Sequence, residues 1–228
     1  MSLNKIIVSK NVFKPTGTSQ IIIEAAKKIV DPKKKILDLG CGSGIIGISI
    51  AKFFNIKKKI FFSDISKTAC NNTLKNCNKL KIKNLILQGS NLEPWEGYKF
   101  DFILCDVAAI AEKISNISPW YIGSINNSGA DGTKHIIKII NSVRNNLNKK
   151  GVFIFPIISL SNEKKILKEL KKNFKYFKKI KTQEWPMPLT MMKFRKLLNQ
   201  LKKKKIINFN KKFDILTFKT DIYLAKKL

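Results

Sequence analysis

The feature that most constrains this chain is a glycine-rich turn between an apolar strand and an apolar helix. Residues 35–47 read KILDLGCGSGIIG, so a short strand ends in Asp38 and alternate glycines follow it up to Gly44. Twenty positions after Gly44, a second strand-like run ends in another acid, Asp64. Glycines that let a ligand approach the backbone, followed by an acid for ribose hydroxyls, are typical of a nucleoside-binding βαβ unit. The alternative is a turn that joins strand to helix and binds nothing.

The charge of Asp38 chooses between two classes of nucleoside cofactor. The spacing of Gly42, Gly44 and Gly47 also fits the G-x-G-x-x-G pattern of NAD-binding proteins. A dinucleotide places its pyrophosphate on this turn, where a carboxylate two residues before the first glycine would repel it. S-adenosylmethionine (SAM) carries no phosphate, and an acid attracts its sulfonium and ammonium groups. The pattern therefore favours SAM, and an NAD-linked oxidoreductase also lacks a well-placed histidine for hydride transfer.

At these residues the chain resembles the class I SAM-dependent methyltransferases, whose order of strands and motifs residues 35–106 follow. The resemblance implies an α/β fold with a Rossmann-like, doubly wound, mostly parallel sheet of seven strands. It implies that Asp38 and the glycine turn hold the methionine end of SAM and that Asp64 binds the ribose. Ser90 or Asn91 stands where the family usually has an acid for adenine. The candidate cofactor-binding residues are Asp38, Gly40, Cys41, Gly42, Gly44, Asp64, Ile65, Ser90, Asn91 and Asp106.

Composition bears on the partners of the protein. The chain has 45 basic and 15 acidic residues and a net charge of +30, but only two of the basic residues are arginine. Because nucleic-acid recognition usually exploits the planar fork of arginine, most of the lysine excess is interpreted as a solvated surface. Attraction to RNA, ribosomes or acidic proteins at low salt is still expected.

Other classes are disfavoured by what the sequence lacks. It has no apolar run of about 20 residues that could cross a membrane, and its first residues are too weakly apolar for a signal peptide. Four dispersed cysteines and one histidine do not form the close clusters that zinc requires. We expect a cytoplasmic protein that uses neither a membrane nor a metal.

Short apolar strands alternate with helices, which predicts a single α/β domain over residues 1–228. Strands are predicted near residues 35–39, 59–63, 84–88, 100–105, 151–156, 176–184 and 214–225. Helices are predicted over 44–54, 66–79, 161–173 and from an Asp131 N-cap to about 147. Thr18 or Ser19 is the expected N-cap of a helix that continues to residue 30. Residues 13–18 before it are expected to form a lid over the cofactor pocket, or else only to cover the sheet edge.

A basic helical insertion is predicted at residues 185–213, before the last strand. The sequence WPMP at 185–188 breaks the chain, and an apolar stripe then predicts a helix over residues 190–205. No acidic residue occurs from Trp185 to Phe213. The cations of the insertion are Lys193, Arg195, Lys196, Lys211, Lys212 and the four lysines 202–205. The insertion either docks an RNA or ribosomal surface or is an amphipathic cover with a solvated lysine face.

The acceptor side of the pocket is predicted at the end of the fourth strand, since ligands of open α/β sheets bind at the carboxyl ends of strands. Methyl transfer requires the protein to align the acceptor and to remove a proton if one is in the way. Asp106 is therefore the candidate catalytic residue, with loop capping as its alternative role. Cys105 lies in an apolar strand, where a thiol is usually inert.

A closer resemblance concerns the acceptor. The sequence GADGT at 129–133, with the helix and strand that follow, resembles the protein-glutamine methyltransferases that act on release factors. Those enzymes have Asn-Pro-Pro-Tyr at the end of strand four, where this chain reads DVAA at 106–109. Trp120 and Tyr121 either provide a replacement aromatic wall or pack in the core. We expect SAM-dependent methylation of a macromolecule, a protein side chain before RNA. The alternative is a non-catalytic SAM-binding or basic assembly subunit.

Overall fold

The structure, a computed structural model, describes residues 6–107, 110–121 and 127–228. The strands are β1 (Ile36–Leu39), β2 (Ile60–Asp64), β3 (Asn84–Gln88), β4 (Phe100–Cys105), β5 (Leu147–Ile158), β6 (Tyr176–Pro186), β7 (Asn210–Lys212) and β8 (Ile215–Lys226). The α-helices are α1 (Gly17–Ala26), α2 (Ile45–Phe53), α3 (Lys67–Lys79), α4 (Glu112–Ser115), α5 (Lys134–Asn146), α6 (Glu163–Asn173), α7 (Leu189–Met192) and α8 (Arg195–Lys203). Ala108 and Ala109 of the predicted acceptor-facing sequence lie outside the described residues.

The sheet has the spatial order β3-β2-β1-β4-β5-β8-β6, and β7 pairs with β8 at one end. Strands β1 to β5 all run parallel to one another, whereas β8 runs antiparallel to both β5 and β6. The prediction of a doubly wound, mostly parallel sheet is confirmed. The order reverses next to β1, so β1 and β4 flank the switch point at which such sheets bind ligands.

The parallel part of the sheet is buried on both faces, as its continuous apolar strands predict. All four residues of β1 are buried, and its apolar side chains face two hydrophobic clusters, Ile36 the first and Leu37 and Leu39 the second. Helices α1 and α2 cover one face, for example through Ile22 and Ile48. Helices α5 and α6 cover the other through Ile139 and Ile166. This two-sided burial fixes the strand ends and therefore the side chains that follow them.

The segment predicted as an insertion packs on a third apolar cluster. Leu198 and Leu201 of α8 are buried there together with Phe218 of β8 and Ile110 of the loop after β4. The helix therefore covers the carboxyl end of the sheet, as its amphipathic sequence predicts. Burial of one side leaves the lysine side of α8 exposed.

Several boundaries differ from the sequence predictions. The N-cap of α1 is Thr16 rather than Thr18 or Ser19, because the Thr16 hydroxyl accepts the Thr18 amide at 3.2 Å and Ser19 Oγ accepts the Thr16 amide at 3.4 Å. This capping box starts the helix earlier, and the helix ends at Ala26. Asp131 is not the N-cap of α5; that position is Thr133, whose amide and hydroxyl both donate to the Asp131 carboxylate.

The predicted helix at residues 190–205 is in fact two helices. It is interrupted at Lys193 and Phe194, which separate α7 from α8. The segment also contains the short strand β7, which forms a hairpin with β8 and brings the sheet to eight strands in the described part of the chain, one more than the seven predicted.

Candidate functional site

Three carboxylates meet at the carboxyl ends of β1, β2 and β4. Asp38 lies opposite Phe62 of β2 and Leu104 of β4 in the parallel register. Asp64 and Asp106 each follow two residues after these partners, so both lie around the same end of β1. The charges of Asp106 and Asp64 both act on Asp38, which places all three within one electrostatic site.

Asp38 is fully buried at the base of this site. Its Oδ2 accepts a hydrogen bond from the Gly47 amide at 2.8 Å, whereas its buried Oδ1 has no partner among the described residues. Burial first, and then the charges of Asp106 and Asp64, raise the pKa of Asp38 to about 8, against the opposing effect of the Gly47 bond. A buried oxygen without a donor, in a carboxyl that resists ionisation, fits a site completed by a cation.

The glycine turn requires glycines at two positions. Gly40 has φ +73°, and a Cβ there would lie 2.9 Å from Val107 Cγ2. Gly44 has φ +78°, and its Cβ would lie 2.8 Å from Thr73 Cγ2. The turn is also tied to β2, because the Gly40 and Cys41 amides donate to the Ser63 carbonyl. Side chains at Gly40 and Gly44 are thus excluded for steric reasons.

The Cys41 side chain is not available for contact with a cofactor. It is buried, its sulfur accepts a hydrogen bond from the Thr73 hydroxyl at 3.3 Å, and burial raises the pKa of its thiol. Only the Cys41 backbone remains a candidate for cofactor contact.

Both oxygens of Asp64 are fixed by backbone amides, one from the glycine turn and one from the N-cap of α3. Oδ2 accepts the Gly42 amide at 3.0 Å and Oδ1 accepts the Ser66 amide at 2.9 Å. Each carboxylate oxygen keeps capacity for a further donor, so two ribose hydroxyls could bind a group that is already oriented. The neighbouring Ile65 side chain is 64% exposed, an apolar surface beside the candidate ribose site.

Ser90 and Asn91 follow β3 at the far side of Asp64. The Gly89 amide donates to the Asp64 carbonyl at 3.0 Å, which brings this loop next to the end of β2. Asn91 has φ +50°, and its side-chain amide nitrogen Nδ2 donates to the Ser90 hydroxyl at 3.2 Å. The structure thus brings the predicted adenine candidates near the predicted ribose residue.

Asp106 has a partner that sequence reasoning missed. The Ser19 hydroxyl donates to Asp106 Oδ2 at 2.6 Å, from the first turn of α1. Burial raises the pKa of Asp106 to about 6, although the Ser19 bond lowers it. The polar cluster around Thr16 and Ser19 was visible in the sequence, but only as a capping signal.

An aromatic cavity of about 260 Å³ lies beside this carboxylate. Its aromatic lining consists of Phe13, Trp120, Tyr121, Trp185 and Phe218. The rings of Phe13 and Tyr121 are 5.1 Å apart, and the charge of Asp106 adds to burial in raising the pKa of Tyr121. Tyr121 therefore lies near Asp106, while Trp120 and Tyr121 both also pack against the third apolar cluster. A larger groove of about 830 Å³ between α1 and α2 contains none of the residues predicted for the site.

The close approach of β6 to α1 shapes this cavity. A Cβ on Gly17 would lie 2.4 Å from the Trp185 ring, so the absence of a side chain at Gly17 lets the indole pack on the start of the helix. The Trp185 indole N–H donates to the Thr220 hydroxyl at 3.1 Å and holds the ring in place. Four residues of the predicted lid segment line the cavity: Phe13, Thr16, Gly17 and Thr18. A Cβ on Gly42 would lie 3.9 Å from the Phe13 carbonyl oxygen, so the segment also approaches the glycine turn.

The described part of the chain comprises residues 6–107, 110–121 and 127–228. Within them, no group of three or more His, Cys, Asp or Glu side chains could hold a metal ion. No helix among them is long and apolar enough to cross a bilayer.

Comparison with known proteins places this geometry in a family. Residues 6–107 match the family model described as methyltransferase small domain. The release factor glutamine methyltransferase of Borreliella burgdorferi is 34% identical over 182 residues, which are 76% of this chain and 62% of that protein. The chain therefore spans less than two thirds of that relative. A Methanocaldococcus jannaschii protein assigned as a protein N5-glutamine methyltransferase is 30% identical over 168 residues, 73% of this chain and 82% of the relative.

The fold also matches solved structures. The ribosomal protein L11 methylase of Lactobacillus delbrueckii superposes with a TM-score of 0.58 at 19% identity, over 95% of this chain and 82% of that one. This likeness concerns the fold alone. Together with the identity to the archaeal relative over most of its length, it shows that the chain belongs to the class I SAM-dependent methyltransferases.

Proposed function

We propose that this protein transfers a methyl group from SAM to a side chain of a protein acceptor. The observation that supports this most directly is the placement of Asp106, between the carboxylate site of Asp38 and the aromatic cavity. The charge of Asp106 acts both on Tyr121, which lines the cavity, and on Asp38, so Asp106 would adjoin both sites. The donor and acceptor would then be held in one pocket, which is the main requirement of an in-line transfer.

The residues of the cofactor site have distinct proposed roles. SAM supplies a methyl group that its sulfonium has already activated. Asp38 supplies a charge that becomes favourable only when a cation is bound, because its pKa is otherwise raised to about 8. Asp64 accepts the ribose hydroxyls while the Gly42 amide holds it in place. Ile65 covers the nucleobase side, and Ser90 or Asn91 donates to or accepts from adenine.

The acceptor site has different chemistry. With a pKa raised only to about 6, Asp106 is ionised at neutral pH and accepts a hydrogen bond or a proton from an acceptor N–H or O–H. A carboxylate cannot donate, so it selects an acceptor that presents a donor. The aromatic walls exclude water from the cavity, whose 260 Å³ suit one side chain better than a folded surface.

The comparisons favour a protein side chain over RNA as the acceptor. Two relatives are named as glutamine methyltransferases, one of them of release factors. This chain lacks the Asn-Pro-Pro-Tyr motif, so the choice of glutamine itself does not follow. At the end of β4, where the relatives have that motif, this chain has the carboxylate of Asp106, with Trp120 and Tyr121 in the neighbouring cavity.

The test is Asp106→Asn in the full chain, assayed with methyl-labelled SAM on fractionated cell extract. Loss of a positioned general base typically costs about 10²- to 10⁴-fold in rate, so we expect that loss with unchanged SAM affinity. Asp131→Asn, which alters another loop carboxylate, is the control and should stay active. Full activity of Asp106→Asn would remove Asp106 from the mechanism. Label in RNA instead of protein would overturn the acceptor class, and SAM binding without label in any fraction would favour the non-catalytic alternative.

A further inference from the structure

The exposed side of α8 is a face of unpaired cations. Helix α8 buries Leu198 and Leu201 and turns its lysines to solvent. Within the described part of the chain, six exposed cations of this face form no ion pair: Lys193, Arg195, Lys196, Lys203, Lys204 and Lys205. On α6, by contrast, exposed lysines lie beside acids, and Lys172 pairs with Glu169. We refer to these six cations and the β7–β8 hairpin as the basic face.

The tip of the β7–β8 hairpin presents an aromatic ring to solvent. Lys212 pairs with Ile215, which leaves a two-residue turn of Phe213 and Asp214. Both have positive φ, +46° and +61°, a turn type that favours Asn-Gly because bulky residues are strained there. Phe213 is nevertheless 99% exposed, so its ring adds nothing to the packing of the fold. An aromatic residue that is both strained and unpacked indicates a contact outside the chain.

The hairpin tip and α8 form one continuous surface. Lys211, which pairs with Asp214, and Arg195 of α8 both lower the pKa of the Asp214 carboxyl, so the tip lies beside the first turn of the helix. At the other end of α8, Lys202 donates to the Phe209 carbonyl and lies 4.4 Å from the centre of its ring. The aromatic tip is therefore flanked by cations from the hairpin and from the helix.

This surface overhangs the end of the sheet where the proposed acceptor cavity opens. Strand β8 passes the end of β5 at the pair of Ile158 and Thr220, and it continues alongside β6 to Thr217. Phe218, which lines the cavity, lies on this overhang. Phe213 is five residues further along, about 16 Å at the rise of an extended strand.

The geometry points to an RNA-docking site on the basic face, in which phosphates lie on the lysines of α8 and a base stacks on Phe213. Exposed cations that form no ion pair among the described residues attract a polyanion, and an exposed ring next to them is the arrangement that single-stranded nucleic acid uses. Lysines bind phosphates as point charges rather than reading base edges, so the contact is not sequence-specific. An acidic protein would use the charges but would gain little from a strained ring at the tip. The inference concerns binding and does not depend on the proposed methyl transfer.

The test is the binding of a fluorescently labelled 20-nucleotide single-stranded RNA to the full chain, measured by anisotropy from 50 to 300 mM salt. Neutralising Lys203, Lys204 and Lys205 to Gln should lower the slope of log affinity against log salt by about 2, at 0.7 per phosphate contact. The matched control neutralises Lys164, Lys168 and Lys171 of α6, three exposed lysines next to acids, and should change the slope little. Phe213→Ala should weaken binding about fivefold or more without changing the slope, since stacking carries no charge. The matched control for this variant is Phe53→Ala, which removes another exposed aromatic residue (58% exposed).

Each outcome decides the inference. Loss of slope in the α8 variant only, together with the loss of affinity in Phe213→Ala, supports the docking site. Equal effects of the two lysine triples would mean general attraction to a basic protein and would overturn it. Competition by polyglutamate as effective as by unlabelled RNA, with Phe213→Ala unchanged, would assign the surface to an acidic protein instead. Because Phe213 and the three lysines are exposed, a change in folding does not confuse these results.

Discussion

Asp38→Asn is the most direct test of the electrostatic basis of the site. The substitution keeps the shape of the side chain and an oxygen that can accept the Gly47 amide. It removes the negative charge that a cation would meet at Oδ1. In the free protein Asp38 has a pKa raised to about 8, so at lower pH it is largely protonated and must release its proton when the cation binds. SAM binding is therefore expected to be coupled to proton release.

The size of this coupling follows from the pKa. With a pKa of about 8 for the free protein and full ionisation in the complex, SAM affinity should rise about 25-fold from pH 6 to pH 7.5. The upper limit keeps most of the SAM ammonium protonated, because α-amino groups titrate near pH 8. In Asp38→Asn this titrating carboxyl is absent, so SAM affinity should change little over the same pH range. The variant should also bind more weakly at pH 7.5, where the wild type has a charge to offer.

Isothermal titration calorimetry measures this directly. Titrations in buffers of different ionisation enthalpy count the protons released, and the count should fall by nearly one in Asp38→Asn at pH 6.5. S-adenosylhomocysteine keeps the ammonium and lacks the sulfonium, so it tells which cation Asp38 meets. A variant with the same steep pH dependence and proton release as the wild type would show that Asp38 is not the partner of the cation. The electrostatic choice of SAM over a dinucleotide would then lose its basis.

The same carboxyl makes an independent prediction for folding without cofactor. A folded pKa of about 8 against an ordinary value of 3.8 means that the folded protein holds this proton more tightly. Asp38 therefore costs no stability below pH 3.8, and the cost grows as the pH rises toward 8. At pH 7 the cost is about 4 kcal/mol, at 1.36 kcal/mol per pH unit. Asp38→Asn should unfold at higher denaturant than the wild type at pH 7, with the difference shrinking toward pH 4.

Three further substitutions address other parts of the site. Asp64→Ala should weaken SAM binding more than tenfold in calorimetry, because hydrogen bonds from the ribose to a charged group and the anchor of Gly42 are lost; unchanged affinity would place the ribose elsewhere. Ser19→Ala should keep SAM affinity and shift the acidic limb of kcat/KM to higher pH, because the Ser19 bond lowers the pKa of Asp106; an unmoved limb would mean that Ser19 does not position the reacting carboxylate. Gly17→Ala should displace Trp185 and raise the KM of the acceptor several-fold at constant SAM affinity, and a KM equal to the wild type would exclude Trp185 from the acceptor site.

The elements around the cofactor site follow closely from the sequence because each is specified locally. Strands β3 and β4 match their predicted bounds, because each is a short apolar run that ends in turn residues. The turn after β1 is specified by glycines that no other residue could replace without a clash at Val107 or Thr73. The carboxylates Asp38, Asp64 and Asp106 then converge because the ends of neighbouring parallel strands share one edge.

The features that sequence reasoning missed depend on distant contacts or on competing local ones. The start of α1 offers Thr16, Thr18 and Ser19 as caps, and only the reciprocal bonds of Thr16 and Ser19 decide between them. The bond from Ser19 to Asp106 joins residues 87 positions apart, and Trp185 packs on Gly17 from the far end of the chain. The break before α8 is hidden because the apolar stripe continues across it, although Phe194 is in fact 45% exposed.

The distribution of charge connects the proposed transfer with the proposed RNA contact. The protein has a net charge of +30, yet its candidate cofactor site contains three carboxylates and is the least favourable place on the molecule for a phosphate. A polyanion drawn to the basic face of α8 is therefore kept out of the pocket by the same acids that favour a cationic cofactor. A neutral group attached to such a polyanion, or a protein bound to it, could still enter the aromatic cavity beside Asp106. Asp64→Ala should accordingly weaken SAM binding and leave RNA affinity unchanged, since Asp64 belongs to the carboxylate site and not to the basic face.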